Sequence, residues 1–307
     1  MGSSIVATFR EADALQAAMR AVGLLRLATT QKGQFRARFR QVMPDRLRLI
    51  AVEENLPRIA FVRVPLDRIL VAFTLEKSSC QFWNGMRMHA GHLIVLGSGA
   101  SAHARTDGPS RWRAICLPKQ DFARYAHALT GGVLRMPEGV SSCHTRSAAL
   151  RELHSIHVET MRSMRMLSDT LATSEGNHGL EQQLIHALVE CLSESTSKFP
   201  VGDHRVMASF EELLLAEPDH AWSVAEVSLM LGMSDRLIRQ SCQACVGMSP
   251  QSFLRLLRLH AVRRALRHPA SSSTSVSEVG RQHGFRHLSR LAIAYRTLFS
   301  ELSSHTL

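Results

Sequence analysis

The sequence predicts an α+β chain: a β-rich amino-terminal barrel or sandwich, a helical connector, and an all-α carboxyl-terminal unit with two helix-turn-helix motifs. Three observations carry this assignment. Short alternating apolar segments separated by turn residues fill the first third of the chain, as antiparallel strands require. After Gly131-Gly132 and Pro137-Glu-Gly139 the apolar spacing becomes helical. Finally, Ser223-Val-Ala-Glu-Val227 with its turn at Gly232 recurs as Ser275-Val-Ser-Glu-Val279 with its turn at Gly284, in register. The expected boundaries are 1–135, 136–200 and 201–307.

Taken in order, Leu15, Ala18 and Met19 suggest a short helix over 11–20. Strands are expected at Phe35-Arg-Ala-Arg-Phe39, Arg46-Leu-Arg-Leu-Ile50, Ile59-Ala-Phe-Val-Arg-Val64, Ile69-Leu-Val-Ala-Phe73, Leu93-Ile-Val-Leu96 and Trp112-Arg-Ala-Ile-Cys116. Asn84-Gly85, Gly97-Ser-Gly99 and Asp107-Gly-Pro109 supply turns. Leu153, His157, Thr160, Met164, Leu167 and Leu171 then form one stripe of a helix, which packs within its own chain or, alternatively, forms a dimer. A second helix carries Leu184, Ile185, Leu188, Val189 and Leu192, and 193–200 reads as a linker.

The chain has a formal charge of +11, which favours a polyanionic partner. Residues 236–300 contain eleven arginines, no lysine and one acid, Glu278. The excess charge is therefore concentrated in the duplicated region. Six cysteines at 80, 116, 143, 191, 242 and 245 lack paired zinc spacing and the density of a disulfide scaffold. A reducing cytoplasm is expected. No apolar run suits a membrane span, and the first residues resemble neither a signal peptide nor a myristoylation site.

In each motif a short helix must turn sharply into one that can lie in a DNA major groove. Glycine adopts the required positive φ without steric cost, and Gly232 and Gly284 are placed for it. Ser234 should cap the first recognition helix. Ile238 and Cys242 would face inward, leaving Arg236, Arg239, Gln240 and Gln243 outside. The second recognition helix aligns with the first once one residue is inserted after its turn, so Leu291 and Tyr295 face inward and Ser289, Arg290 and Ile293 outward. Arginine can donate a bidentate pair to guanine and glutamine can pair with adenine. Arg286, His287 and Arg296 lie nearer the helix edges, where phosphate contact is expected. A helix starting at Ser249-Pro-Gln-Ser-Phe253 separates the motifs. If both enter one face of the duplex, their boxes should lie about 10 bp apart.

This region resembles the AraC/XylS family of bacterial transcription regulators. The matching pieces are Ser223-Val-Ala-Glu-Val, Leu231-Gly-Met-Ser234, Gly247-Met-Ser-Pro250, Leu256-Leu-Arg-Leu259, Ala261-Val-Arg-Arg-Ala-Leu266, Ser275-Val-Ser-Glu-Val, His283-Gly-Phe285 and Tyr295-Arg-Thr-Leu-Phe299. The resemblance implies two helix-turn-helix units joined by a linker helix, sequence-specific binding to promoter DNA, and activation of transcription with RNA polymerase. It also implies a cytoplasmic protein, nucleoid-associated when bound to DNA. The family commonly has Phe at Cys242, a small polar residue at Arg286, Phe at Leu291, Gly at Ser300 and Pro at Ser303. These departures should thin both small cores and remove a cap from the second recognition helix.

Phe9-Arg-Glu-Ala-Asp13 and His89-Ala-Gly-His-Leu-Ile-Val-Leu-Gly97 give the first domain a weaker similarity to cupin-like sensory domains of ethanolamine-type regulators. That implies modulation by a small-molecule effector, or oligomerisation as a homodimer. A nonspecific architectural DNA-binding protein is the alternative, since basic helices alone bind phosphate.

No enzyme, cofactor or metal is expected. Cys242-Gln-Ala-Cys245 lies on a helix with Cys242 inward, so packing is the expected role. His89 and His92 lack the further His and Glu of a metal-binding cupin. The glycines after Leu93-Ile-Val-Leu96 imitate a dinucleotide fingerprint, but Asp107-Gly-Pro109 interrupts where its helix should follow. Ser142-Cys-His-Thr145 faintly resembles the Cys-His site of alkyl-transfer repair proteins and reads as an ordinary loop.

Overall fold

The computed structural model describes residues 3–306 except 75–80, 90, 133, 135–137, 167–173, 194, 196, 201–204 and 268–274. Leu167, Leu171, Pro137 and Cys80 lie outside the described residues.

Two antiparallel sheets form the amino-terminal half. The larger runs in the order β1 (Ser3–Phe9), β3 (Ala37–Met43), β4 (Arg48–Glu54), β11 (Ser110–Pro118), β6 (Arg68–Phe73), β9 (His92–Leu96), β12 (Val140–His144) and β13 (Ser197–Pro200). The smaller runs β2 (Leu24–Thr29), β5 (Arg58–Arg63), β10 (Ser101–Thr106), β7 (Gln81–Trp83) and β8 (Met86–Arg87). Among the described residues no strand of one sheet pairs with a strand of the other. The expected cupin-like barrel is therefore an open sandwich. Its inner faces meet through Phe39, Ile50, Val52 and Leu70 on one side and Leu27, Ala60, Val62 and Trp83 on the other.

The outer face of the larger sheet is also covered. Alternate residues Leu49, Val71, Phe73, Val95 and Ile115 pack against α2 (Lys119–Thr130), α3 (Ser147–Met166) and α4 (Ser174–Ser193). Burial on both faces explains why Ile69-Leu-Val-Ala-Phe73 and Leu93-Ile-Val-Leu96 are uninterrupted apolar runs rather than alternating ones. Leu153, His157, Thr160 and Met164 of the α3 stripe are buried, with His157 Nε2 3.4 Å from the Ala114 carbonyl. These four described residues of the stripe thus pack inside their own chain. The stretch 193–200, expected as a linker, instead contributes β13, paired with β12.

Among the described residues six α-helices follow: α5 (Arg205–Ala216), α6 (Val224–Leu231), α7 (Asp235–Val246), α8 (Pro250–Leu266), α9 (Val276–Gln282) and α10 (Leu288–Phe299). Their core includes Phe210, Val227, Ile238, Phe253, Val262, Leu291 and Tyr295, and it extends to Ala28 and Ile59 on the outer face of the smaller sheet. The layers are thus helices, large sheet, small sheet, helices. The short helix expected at 11–20 is α1 (Ala12–Ala18), which packs beside β2.

Candidate nucleic-acid interface

Each helix-turn-helix is built locally by its own sequence. Ser223 caps α6 by accepting from the Glu226 N–H at 3.2 Å, while the Glu226 carboxylate accepts from the Ser223 N–H at 2.6 Å. Those Ser223 bonds hold the Glu226 carboxyl below the usual carboxylate range. Gly232 then turns the chain at φ 61°, and Ser234 caps α7 through the Leu237 N–H. In the second motif Ser275 caps α9, and Gly284 turns at φ 77° with Ala221 packed where a side chain would start. Any larger residue at Gly284 would meet both the αL restriction and that neighbour.

The extra residue after the second turn is present. Two residues separate Gly232 from α7, whereas three separate Gly284 from α10. One correction concerns the cap: the N-cap of α10 is His287 rather than Arg286, and its side chain makes no capping hydrogen bond. Imidazole is longer than the Ser, Thr, Asn or Asp side chains that reach the second or third N–H.

Ile238, Cys242, Leu291 and Tyr295 are all buried. Burial pushes the Cys242 thiol up to about 12, with Cys245 and Glu211 adding to the effect, so it packs as a neutral apolar group. Cys245 is buried as well. Arg236, Arg239, Gln240 and Gln243 on α7 are exposed, as are Arg286, His287, Ser289, Arg290, Ile293 and Arg296 on or beside α10. Helix α8 has 17 residues and hence a length of about 25 Å, the order of one turn of B-DNA at about 34 Å.

The arginine count overstates the charge offered to solvent. Arg258 donates to the Trp222 carbonyl, and Arg263 bridges Glu11 and Glu301 at 2.6 and 2.8 Å. Arg264 pairs with Asp13, Arg267 with Glu11 and Arg281 with Glu278. The remaining six, Arg236, Arg239, Arg255, Arg286, Arg290 and Arg296, are exposed, with no ion pair among the described residues. Arg255, on α8, is a cation that the motif pattern alone did not single out.

The anchoring of this unit depends on residues far apart in the chain. Fully buried Glu211 on α5 accepts from Arg26 Nε at 2.8 Å and lies 3.1 Å from His103 Nε2. Burial opposes its ionisation, but Arg26 and the His103 hydrogen bond outweigh it and hold the carboxyl below its usual range. His260 on α8 places Nε2 3.0 Å from the Thr29 carbonyl. Burial, only partly offset by that bond and by Asp13, lowers this histidine to about 4. The helical unit thus docks on the small sheet while the ten candidate contact residues stay open.

Elsewhere, His92 lies between His89 and His144, with ring centroids 5.5 and 5.2 Å away. Among the described residues no three His, Cys, Asp or Glu side chains are grouped to hold a metal ion. Cys143 is a buried strand residue rather than part of a loop. No described helix is long and apolar enough to cross a membrane.

A family model described as a helix-turn-helix domain matches residues 212–307. The chain is similar to the XylDLEGF operon transcriptional activator 2 of Pseudomonas putida, 32% identical over 125 residues that make up 39% of this chain and 77% of that protein. The chain belongs to the AraC/XylS family of transcription regulators. The regulator is also 32% identical over 125 residues to the XylDLEGF operon transcriptional activator of the same organism, spanning 38% of that longer relative. Among solved structures, the AraC-like transcriptional activator CuxR is 13% identical, covering 88% of this chain and 96% of its own with a TM-score of 0.45.

Proposed function

We propose that this regulator binds promoter DNA sequence-specifically through α7 and α10 and activates transcription with RNA polymerase. The observation that supports it is the pairing of two capped or turned motifs whose inward residues are buried and whose outward polar residues are exposed. Arg239, Gln240 and Gln243 would read bases from α7, and Ser289, Arg290 and Ile293 from α10. Arg236 would face the DNA with the α7 residues, and Arg286, His287 and Arg296 would set the register on phosphates. Residues 201–307 would form the DNA-binding domain, 1–135 the sensory or oligomerisation domain, and 136–200 their connector. The protein would work in the cytoplasm, bound to the nucleoid, without catalysis, and a signal at the amino-terminal domain would alter its DNA affinity.

The test is to sequence sheared bacterial genomic DNA retained by the full-length protein at near-physiological salt. A shared site with two boxes about 10 bp apart is expected, and Arg239→Ala with Arg290→Ala should abolish the preference. Uniform recovery across sequences would replace this reading with an architectural, backbone-only binder.

A further inference from the structure

The two helix-turn-helix units are copies of one motif, so each shows what the other does not need in order to fold. On α6 the exposed residues Ala225, Glu226, Leu229 and Met230 stand one turn apart and share a face. With Ser275 in the place of Ser223, the same positions of α9 hold Ser277, Glu278, Arg281 and Gln282. That second face satisfies itself: Arg281 pairs with Glu278 at 3.2 Å, and Gln282 Nε2 donates to the same carboxylate at 3.3 Å. The first has leucine and methionine instead of the cation and the amide. Leu229 is 81% exposed and Met230 60%, while Val227 on the inward side supplies the buried contact. Two adjacent apolar side chains are thus held in water at positions where the motif accepts polar ones.

Charge gives the face a second property. From Val206 to Asp235 the chain has six acids and neither lysine nor arginine, immediately before the stretch in which arginine accumulates. Two of them are answered by the sandwich, Glu211 by Arg26 and Glu212 by Arg63. The others, Glu217, Asp219, Glu226 and Asp235, are exposed. His220 approaches Glu217 and Glu226 at 4.0 and 3.8 Å, and the Arg258 charge reaches Glu226 from α8. The outer side of α6 therefore presents apolar side chains beside carboxylates, with no lysine or arginine of its own. The first helix of such a motif crosses the DNA backbone, and phosphate is a poor neighbour for that combination. This side suits a protein rather than DNA.

We propose that the α6 face docks RNA polymerase, with an apolar residue of the enzyme against Leu229 and Met230 and a lysine or arginine beside Glu226. The inference rests on the promoter-activator reading, which brings polymerase alongside the bound regulator. An apolar centre with a charged rim is the composition of a protein interface. A second copy of the chain fits less well, because its Arg236, Arg239, Arg286, Arg290 and Arg296 are occupied by DNA in that reading.

The experiment uses full-length protein, a promoter fragment carrying the two-box site and purified bacterial RNA polymerase holoenzyme at about 150 mM salt. Fragment binding, polymerase recruitment and transcript yield are measured separately. Leu229→Gln with Met230→Gln should leave affinity for the fragment within about twofold and reduce recruitment and transcript by about tenfold or more. Leu229→Arg with Met230→Gln, the pair that the second unit carries, should lose recruitment as well. Leu66→Gln, at a sandwich position that is also 81% exposed, should change neither. Recruitment by the wild type that survives both double variants would overturn the α6 assignment and leave the activator reading standing. A wild type that occupies its site but recruits no polymerase would overturn both. Equal loss of fragment binding and recruitment in folded variants would assign the face to DNA, and self-association lost in the variants would assign it to a second copy; either result would replace the proposal.

Discussion

Ser300 shows how one residue records the history of a duplication in energetic terms. With the inserted residue counted, it occupies in the second motif the place that Gly247 holds in the first. Both end their recognition helices in the left-handed region, Gly247 at φ 75° and Ser300 at φ 57°. A side chain there costs roughly 1–2 kcal/mol, whereas glycine adopts it freely. Ser300 is exposed, so nothing else of its side chain is sacrificed by removing it. Ser300→Gly should raise stability by about 0.5–1 kcal/mol, after allowing for the extra freedom of glycine in the unfolded chain. A thermal midpoint that stays put or falls would show that the left-handed serine is not a net cost.

At the scale of elements, the β7–β8 hairpin sets its turn directly against a recognition helix. Asn84 and Gly85 have φ 45° and 83°, the two positive values of a type I′ turn. The turn is tied to β10 by Asn84 Oδ1, which accepts from the His103 N–H at 2.8 Å. A Cβ on Gly85 would collide with the carbonyl of Ala244 on α7. Three alanine substitutions separate the causes. Gly108 has an ordinary φ and nothing within 4 Å, while Gly131 has φ 61° and open space. Gly108→Ala should be near neutral and Gly131→Ala should cost about 1 kcal/mol from the backbone alone. Gly85→Ala should cost more than Gly131→Ala in thermal unfolding, because a backbone carbonyl must also move. Equal losses at 85 and 131 would mean that the hairpin does not bear on α7.

The same elements show what the sequence could and could not announce. Both helix-turn-helix units were legible because their caps, turns and inward pairs lie within about one motif of each other in the chain. Strands β5, β6, β9 and β11 were legible from β-branched and apolar runs. Strand β10 was not, since Ser101-Ala-His-Ala-Arg-Thr106 has small and polar residues that large neighbours bury. Its His103 meets Glu211 across 108 residues of sequence. Cross-strand rows are equally hidden, because Arg40, Ala51 and Arg113 become one row only when the register of three strands is known.

For the molecule as a whole, the buried polar groups make stability depend on pH in one direction. His157 is fully buried between α3 and the large sheet, and burial, with Arg113 adding to it, lowers its pKa to about 3. His260, at the junction of α8 and β2, is lowered to about 4. Both folded values lie below the unfolded value near 6.5, so their contribution is complete above pH 6.5 and is lost as the unfolded chain takes up protons below it. Each histidine should remove about 1.4 kcal/mol per pH unit until its folded value is reached. Glu211 acts in the same sense, but only below the unfolded carboxyl value, so it is silent between pH 6.5 and 5.5. Full-length protein should therefore lose about 2–3 kcal/mol between pH 7.5 and 5.5. His260→Gln, whatever its effect at pH 7.5, should remove about half of that slope, as measured by denaturant unfolding at several pH values. An unchanged slope would place the titration elsewhere. Because His260 contacts Thr29 across the docking surface, the half it controls belongs to the junction between the helical unit and the sandwich. Acid should thus loosen that junction before it disrupts the first recognition motif, which contains no histidine, whereas the second carries half-buried His283 at the end of α9, lowered by burial in the same sense.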